Sequence, residues 1–394
     1  MKIPNDPFIG THHIGKEEEK AVLQVIRSKS LFRHHGPDLL YKTNELEKRL
    51  AEFLGVKHVL AVNSGASAIK LACIGHGIGH GDEVLMSPFT FIASASSVLS
   101  VGAIPKFVDI DESMNIDPDK IQKAITKKTK AIMAIHMQGQ ACDMKKIMAI
   151  AKKNNLVVIE DTAQAFGAKI GNKYAGTFGT GAFSLQAGKT ITCGEGGFLA
   201  TNNKDVYKKA KMYHDNGGFR TGDSYPTWEN GDTFYGENFK ITEIQSAIAI
   251  EQLKKVNRIS AGQKSNFEYL ASNINQEFYR LRPVPTGHEN IPVSLCIGFD
   301  SEKQCDRFIS FMNTHGIGFN RYCSNLINNF DVFRHKNSWH KNKYPFNLFK
   351  YTDDKCKGSE KLFKRTAWFN LSASLTKKHL DYIIKQMHNY ESAE

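Results

Sequence analysis

The run Leu156-Val-Val-Ile-Glu-Asp-Thr-Ala-Gln164 opens with four consecutive apolar residues and then meets two adjacent carboxylates. A strand that is apolar at every position, not at alternate ones, belongs to a sheet covered on both faces, and such sheets are mostly parallel. Runs of the same make recur upstream at His58-Val-Leu-Ala-Val62, Glu83-Val-Leu-Met-Ser87, Ile104-Pro-Lys-Phe-Val-Asp109 and Lys130-Ala-Ile-Met-Ala-Ile-His136. Between them lie stretches with helical spacing, over 66–74, near 93–99, from Asp117-Pro118 onward and over 143–153. Two further helices precede the first strand, over 15–29 and over Thr43 to Phe53, the second with Leu46, Leu50 and Phe53 on one face. Strand and helix alternate, which predicts an α/β fold built on a large, mostly parallel sheet.

At 394 residues the chain exceeds what one hydrophobic core usually organises. A helix over Thr242 to Val256 closes the regular pattern, and beyond about 262 the signals loosen. Short strands around 292–299 and helices near 301–314 and 374–390 predict a smaller α+β domain. The expected division is a large domain over 1–260, with an N-terminal arm, and a small domain over 261–394. The segment 320–356, rich in Asn, Lys, His and aromatic residues, carries no assignable pattern.

Composition is that of an ordinary globular protein, 41% apolar and 23% charged. The net charge of +12 favours anionic ligands, but the basic residues are spread along the chain and no nucleic-acid-binding motif occurs. Seven scattered cysteines without a CxxC pair read as reduced thiols, so neither disulfides nor a metal is expected. No apolar stretch approaches the roughly 18–20 residues of a membrane span, and Met1-Lys-Ile-Pro-Asn-Asp6 lacks a signal-peptide core. A cytoplasmic protein is expected.

In open parallel sheets, chemistry collects past the carboxyl ends of strands. Asp161 ends one strand, and Lys189 follows another in Phe183-Ser-Leu-Gln-Ala-Gly-Lys-Thr-Ile-Thr-Cys-Gly-Glu-Gly-Gly197. A lysine amine can condense with the aldehyde of pyridoxal phosphate, and a buried carboxylate can hold that cofactor's pyridine nitrogen protonated. Asp161 also suits a helix N-cap, but the pairing with Lys189 favours the chemical role. Ala61-Val-Asn-Ser-Gly-Ala-Ser-Ala68 runs from strand through a small-residue turn into a helix, where Gly65 admits a phosphate to free N–H groups. Alone, that turn reads first as an ordinary one capped by Ser64. Ser184 offers a hydroxyl to the same phosphate, Phe91 a face for the ring, and Gln164 a donor to its phenolic oxygen. Gly75-His-Gly-Ile-Gly-His-Gly81 mimics a dinucleotide loop but follows a helix, and its histidines are too loosely placed to form a metal pair. Cys193 reads as a packing residue.

Asn63-Ser-Gly-Ala-Ser, Gly81-Asp-Glu-Val, Thr90-Phe-Ile-Ala, Glu160-Asp-Thr-Ala-Gln-Ala, Lys189 with Gly194-Glu-Gly-Gly, and Gly236-Glu-Asn-Phe-Lys-Ile-Thr-Glu-Ile-Gln occur in one order. In this the chain resembles the DegT/StrS-type sugar aminotransferases from about residue 10 to 390. The resemblance implies the aspartate aminotransferase-like fold (type I), pyridoxal 5'-phosphate as cofactor, L-glutamate as amino donor, and a homodimer with shared active sites. It implies that Gly65 and Ala66 offer backbone N–H groups, Ser184 its hydroxyl and Phe91 its ring, with Asp161, Gln164 and Lys189 as above. Asn238 would reach the phosphate of the neighbouring subunit. A dehydratase branch of the family carries His where this chain has Lys189, which favours transamination.

The chain departs from common members at Leu31-Phe-Arg-His-His-Gly36 and at Gln138, which points away from the usual nucleotide-sugar. Overall similarity within the family points to 8-oxo-3-deoxy-manno-octulosonate, aminated to 8-amino-3,8-dideoxy-octulosonate for lipopolysaccharide. Arg33, His34, Gln138 and Arg220 are then the candidate substrate contacts, the two arginines for the sugar's carboxylate. The competing expectations are a nucleotide-linked keto-sugar or cyclitol as substrate, a non-catalytic sensor that binds the same cofactor, and a lyase or dehydratase.

Overall fold

The computed structural model describes residues 1–222, 224–229, 231–348 and 355–394. Its main sheet contains β1 (His58–Val62), β2 (Glu83–Met86), β3 (Ile104–Phe107), β4 (Thr129–Ile135) and β5 (Val157–Asp161). After the short β6 (Lys169–Ile170) and β7 (Lys173–Tyr174), it is completed by β8 (Thr180–Ser184) and β9 (Gly197–Thr201). The order across the sheet is β1-β9-β8-β5-β4-β2-β3. From β3 to β8 all neighbours are parallel, while β9 runs antiparallel to both β8 and β1. The expected mostly parallel sheet is therefore present, with β5 at its centre.

Helices cover both faces. They are α1 (Lys16–Ser28), α2 (Lys42–Leu54), α3 (Gly65–Gly75), α4 (Ile92–Ser100), α5 (Pro118–Ala124), α6 (Met144–Lys153), α7 (Lys204–His214) and α8 (Glu243–Ser272). Alternate residues of one strand serve different layers, as the pleat requires. On β4, Met133 packs with Leu60, Ile159 and the α3 residue Leu71, whereas Ile132 and Ala134 pack with Ile147 of α6. All these side chains are buried, which explains strands without a polar alternate.

The helix α2 shows a cap that its own sequence lacks. Its N-cap position is Tyr41, in the left-handed region at φ 51°, with no capping side chain. The buried carboxylate of Glu243 supplies the missing acceptor from the start of α8. It takes the backbone N–H of Lys42 at 2.6 Å and of Thr43 at 2.9 Å, together with the Thr43 hydroxyl at 2.7 Å. Orphan helix-end donors are thus satisfied across the tertiary structure.

The sequence-based helix ending at Val256 proves too short, since α8 continues to Ser272. It serves two cores in succession, so no single apolar stripe marks its length: Val256 and Ile259 face the α2 layer, and Leu270 faces the second unit. The expected boundary at 260 falls inside this helix. Beyond it, β10 (Arg280–Leu281), the short β11 (His288–Glu289, paired with β6) and β12 (Ser294–Gly298) follow. Then come α9 (Glu302–Thr314), α10 (Asp331–Arg334), α11 (Lys357–Lys364), β13 (Thr366–Asn370) and α12 (Lys377–Glu391). Strands β10, β12 and β13 form an antiparallel sheet over a core containing Leu295, Phe308, Phe319, Phe369 and Ile383. Ile3 of the N-terminal arm is buried in the same core.

The segment without a sequence pattern leaves β-structure at Asn320 and then sends Leu326, Ile327, Phe333 and Phe346 into the main core. Its apolar residues are irregularly spaced because they come from short turns, including Ile327–Asn329 and α10, instead of one helix or strand. Residues 349–354 of that segment lie outside the described residues.

Glu243→Ala should leave two backbone donors at the start of α2 unpaired. Urea unfolding is expected to show a loss of about 2–3 kcal/mol, against little change for a surface control such as Glu268→Ala.

Candidate active site

Asp161 ends β5 and is 6% exposed. Ser94 of α4 donates its hydroxyl to Oδ2 at 2.7 Å, and the Ala163 N–H donates to Oδ1 at 3.1 Å. The second bond is an Asx turn, and no helix follows the strand, so Asp161 is not a helix cap. Its carboxylate lines a cavity of about 430 Å³ together with Gly65, Ala66, Phe91, Ser184 and Lys189.

One end of this cavity is formed where β1 passes into α3. Ser64 caps the helix by accepting the Ser67 N–H at 3.1 Å, and its carbonyl accepts that of Ala68. The N–H groups of Gly65 and Ala66 line the cavity and have no partner among the described residues. A Cβ on Gly65 would stand 2.9 Å from that of Ser184, so glycine lets β8 come close enough to present its serine. Ser64 thus caps the helix, while the Gly65 and Ala66 N–H groups are left without a partner among the described residues.

Phe91 is the N-cap residue of α4 and is 65% exposed, with its ring bordering the cavity. A large apolar side chain left this open at a cavity wall suits a flat aromatic ligand. The donors, the carboxylate and the exposed ring fit a phosphorylated pyridine.

Lys189 lies in the loop between β8 and β9. The loop closes on itself through Leu185 N–H to Gly196 O and Ala187 N–H to Gly194 O, both at 2.9 Å. Gly194, at φ 87°, makes the turn that only a residue tolerant of the left-handed region makes without strain. The N-terminal arm then clamps the loop, as Gly10 donates its N–H to the Lys189 carbonyl at 2.9 Å. Burial pushes the Lys189 amine's pKa below 10.5, against the opposing pull of the Asp161 and Glu195 carboxylates.

Gln164 sits in a chain of amides. Its Oε1 accepts the Gln138 backbone N–H at 3.2 Å and the Gln138 Nε2 at 2.9 Å, which fixes which end of the amide is oxygen. Its Nε2 donates to the Tyr322 hydroxyl at 2.9 Å, which leaves one N–H over. Gln138 makes these contacts from a left-handed backbone conformation, at φ 53° and ψ 44°. Gln164, Lys189 and Tyr322 also line a second cavity of about 530 Å³, reaching Asn320, Trp368 and Asn370.

The structure thus brings Gly65, Ala66, Phe91, Asp161, Gln164, Ser184 and Lys189 to one cavity, with Gln138 in the wall of the second. Other candidates stand apart. Arg33, His34 and Arg220 border a different cavity. Arg33 is buried and forks onto Glu47 at 2.8 and 2.9 Å, with Asn44 at 2.6 Å. Arg220 is similarly spent on Asp215, at 2.8 and 2.9 Å. Glu47 is half-buried and Asp215 is buried, the latter also paired with Lys240 at 2.6 Å, so within the chain both arginines are engaged in ion pairs. Asn238 is exposed, accepts the Lys240 N–H, and borders neither cavity containing Lys189.

Sequence reasoning missed Ser94, which steadies Asp161, and Tyr322, which orients Gln164. Thr90-Phe-Ile-Ala-Ser94 offered a trace of the first, with serine on the helix that begins after Phe91. Tyr322 lies in the patternless segment and carried no signal.

The profile of the DegT/DnrJ/EryC1/StrS aminotransferase family matches residues 12–388. GDP-perosamine synthase of Caulobacter vibrioides is 42% identical over 214 residues, covering 54% of this chain and 56% of that protein. UDP-4-amino-4,6-dideoxy-N-acetyl-beta-L-altrosamine transaminase of Helicobacter pylori is 34% identical over 245 residues, covering 61% and 63%. The matches therefore span less than two thirds of these curated relatives. Among solved structures, the aminotransferase from Psychrobacter cryohalolentis superposes with a TM-score of 0.86 at 27% identity, over 99% of each chain. The fold is that of the type I pyridoxal phosphate aminotransferases, and the chain belongs to the DegT/DnrJ/EryC1/StrS aminotransferase family.

Proposed function

We propose that the protein transfers an amino group from L-glutamate to a keto-sugar with the help of pyridoxal 5'-phosphate. The observation that carries this reading is the position of Lys189, in a wall common to two cavities. One of them presents a carboxylate, an aromatic face and free N–H groups; the other has room for a sugar. A protein that only sensed the cofactor would need no lysine facing a second compartment.

Bound in the first cavity, pyridoxal phosphate would supply an aldehyde to take up the amino group and a ring to draw electrons from the reacting carbon. The residues of this chain do the rest. Asp161 holds a proton at the pyridine nitrogen through a charge-assisted bond, with Ser94 and the Ala163 N–H keeping its carboxylate in place. Gly65, Ala66 and Ser184 hold the phosphate. Phe91 covers the ring, and Gln164 directs its remaining N–H to the phenolic oxygen. Lys189 Nζ, with proton affinity reduced by burial, would move the proton from the donor's α-carbon to the cofactor's aldehyde carbon in the first half of the cycle, and from there to the sugar carbon in the second. Asn238 is assigned to the phosphate of a neighbouring subunit, which makes the working form a homodimer.

For the sugar, the reading is 8-oxo-3-deoxy-manno-octulosonate, giving 8-amino-3,8-dideoxy-octulosonate. Overall similarity of the chain and its +12 charge support an acidic substrate. The alternative is a nucleotide-linked keto-sugar, supported by the names of the GDP-perosamine synthase and the altrosamine transaminase relatives. Arg33 and Arg220 speak for neither, since both are engaged.

Mass spectrometry of the product separates these readings. With pyridoxal phosphate and glutamate, the protein is expected to convert the 8-oxo sugar to its amine, and Lys189→Ala to lose at least about 10³-fold in rate. Conversion of a GDP- or UDP-linked 4-keto-sugar instead would keep the reaction and replace the substrate; conversion of neither, with no uptake of glutamate nitrogen, would refute the reaction. A second expectation concerns pH. Because burial lowers the folded-state pKa of Lys189, the neutral amine is present at lower pH than for a free lysine. The rate at which apoprotein takes up pyridoxal phosphate should rise with pH through a midpoint below 10.5. A midpoint at or above that value would contradict the buried amine.

A further inference from the structure

Tyr322 stands in the wall that the first and second cavities share, together with Gln164 and Lys189. It reaches that wall from the small sheet. Two residues earlier, Asn320 pairs with Trp368 of β13 through backbone bonds of 2.7 and 3.0 Å in the two directions, which fixes the backbone carrying the tyrosine. Its ring is held between Phe89, with centroids 5.0 Å apart, and Trp368, edge-on at 5.9 Å. Phe89 is fully buried in the loop after β2, so the phenol is gripped from both sides of the site.

The hydroxyl ends a row of hydrogen bonds that all run in one direction. Gln138 donates its backbone N–H and its Nε2 to Gln164 Oε1, and Gln164 Nε2 donates to the Tyr322 oxygen at 2.9 Å. An amide nitrogen carries two protons in a fixed plane. Tyr322 takes one of them and thereby fixes where the other points. Without that acceptor, only the oxygen end of the Gln164 amide stays tied. Burial pushes the Tyr322 pKa up to about 12. The phenol therefore keeps its proton near neutral pH and offers Gln164 a neutral oxygen.

We propose that Tyr322 is a positioning residue for the cofactor: by holding Gln164, it keeps the remaining amide N–H on the phenolic oxygen and so sets the proton affinity there. The inference rests on pyridoxal phosphate occupying the first cavity, joined to Lys189. A donor at the phenolic oxygen favours its fully negative form. Losing the donor therefore raises the pH at which the proton shared by that oxygen and the Lys189 nitrogen leaves. The other titratable groups bordering the two cavities, Asp161, His136, Glu195 and Arg321, are the same in each variant below.

Absorbance of the full-length, cofactor-loaded protein, titrated against pH, tests this without measuring turnover. Tyr322→Phe keeps the ring between Phe89 and Trp368 and removes only the acceptor. Its midpoint is expected to rise, by about three- to tenfold in proton affinity. Gln164→Ala is expected to shift the midpoint at least as far. Adding Tyr322→Phe to Gln164→Ala should then shift it no further, because the tyrosine acts through the amide. An unmoved or lowered midpoint in Tyr322→Phe, or shifts that add in the double variant, would overturn the positioning role alone. A pH-dependent band that survives in Lys189→Ala would remove the cofactor reading beneath it as well.

Discussion

Glu160 and Asp161 are adjacent on the central strand β5, both buried, and they face opposite ways. A buried carboxylate costs several kcal/mol unless it is fully bonded, and the two meet that requirement differently. Glu160 accepts the N–H groups of Gly176, Phe178 and Gly179 at 2.7–2.8 Å and faces His136 Nε2 at 3.2 Å. The Cys142 N–H occupies the other ring nitrogen of His136, so the imidazole is the neutral donor of that last contact. These bonds fix the turn that feeds β8, and β8 delivers Ser184 and the Lys189 loop. Asp161, by contrast, takes two protein hydrogen bonds and keeps capacity for a third from a ligand. One carboxylate builds the frame, and its neighbour borders the cavity with bonding capacity to spare.

This division explains what could be read without a structure. The unbroken apolar strands follow from two-sided burial, and Asp161 ends its strand while Lys189 follows another, where an open sheet is accessible to ligands. The passage from strand to helix at Gly65 was legible because a small-residue turn leaves a compositional mark, and there the Gly65 and Ala66 N–H groups have no partner among the described residues. The cap of α2 was not, since its acceptor, Glu243, comes from a distant helix. The true length of α8 was hidden because its two halves answer to different cores. Tyr322 was invisible for a similar reason: it is placed by irregular turns whose buried residues follow no period.

The substrate residues show a different limit. An arginine in a basic chain says nothing about its partner until the carboxylates around it are located. Arg33 and Arg220 looked available for an acidic sugar, yet Glu47 and Asp215 had already claimed them. Arg282 gave no such impression in the sequence, and among the described residues its guanidinium is bonded to the Ser113 and Met137 carbonyls and not to a carboxylate. Charge counts thus bound the class of ligand, while pairing decides where it can sit.

The central claim is that Lys189 is the residue that carries the cofactor. Borohydride reduction of the loaded protein followed by peptide mapping tests it directly. The account predicts a phosphopyridoxyl group on the peptide containing Lys189 and on no other lysine, and no stable labelling in Lys189→Ala. Labelling centred on a different lysine, or unchanged labelling in that variant, would contradict it.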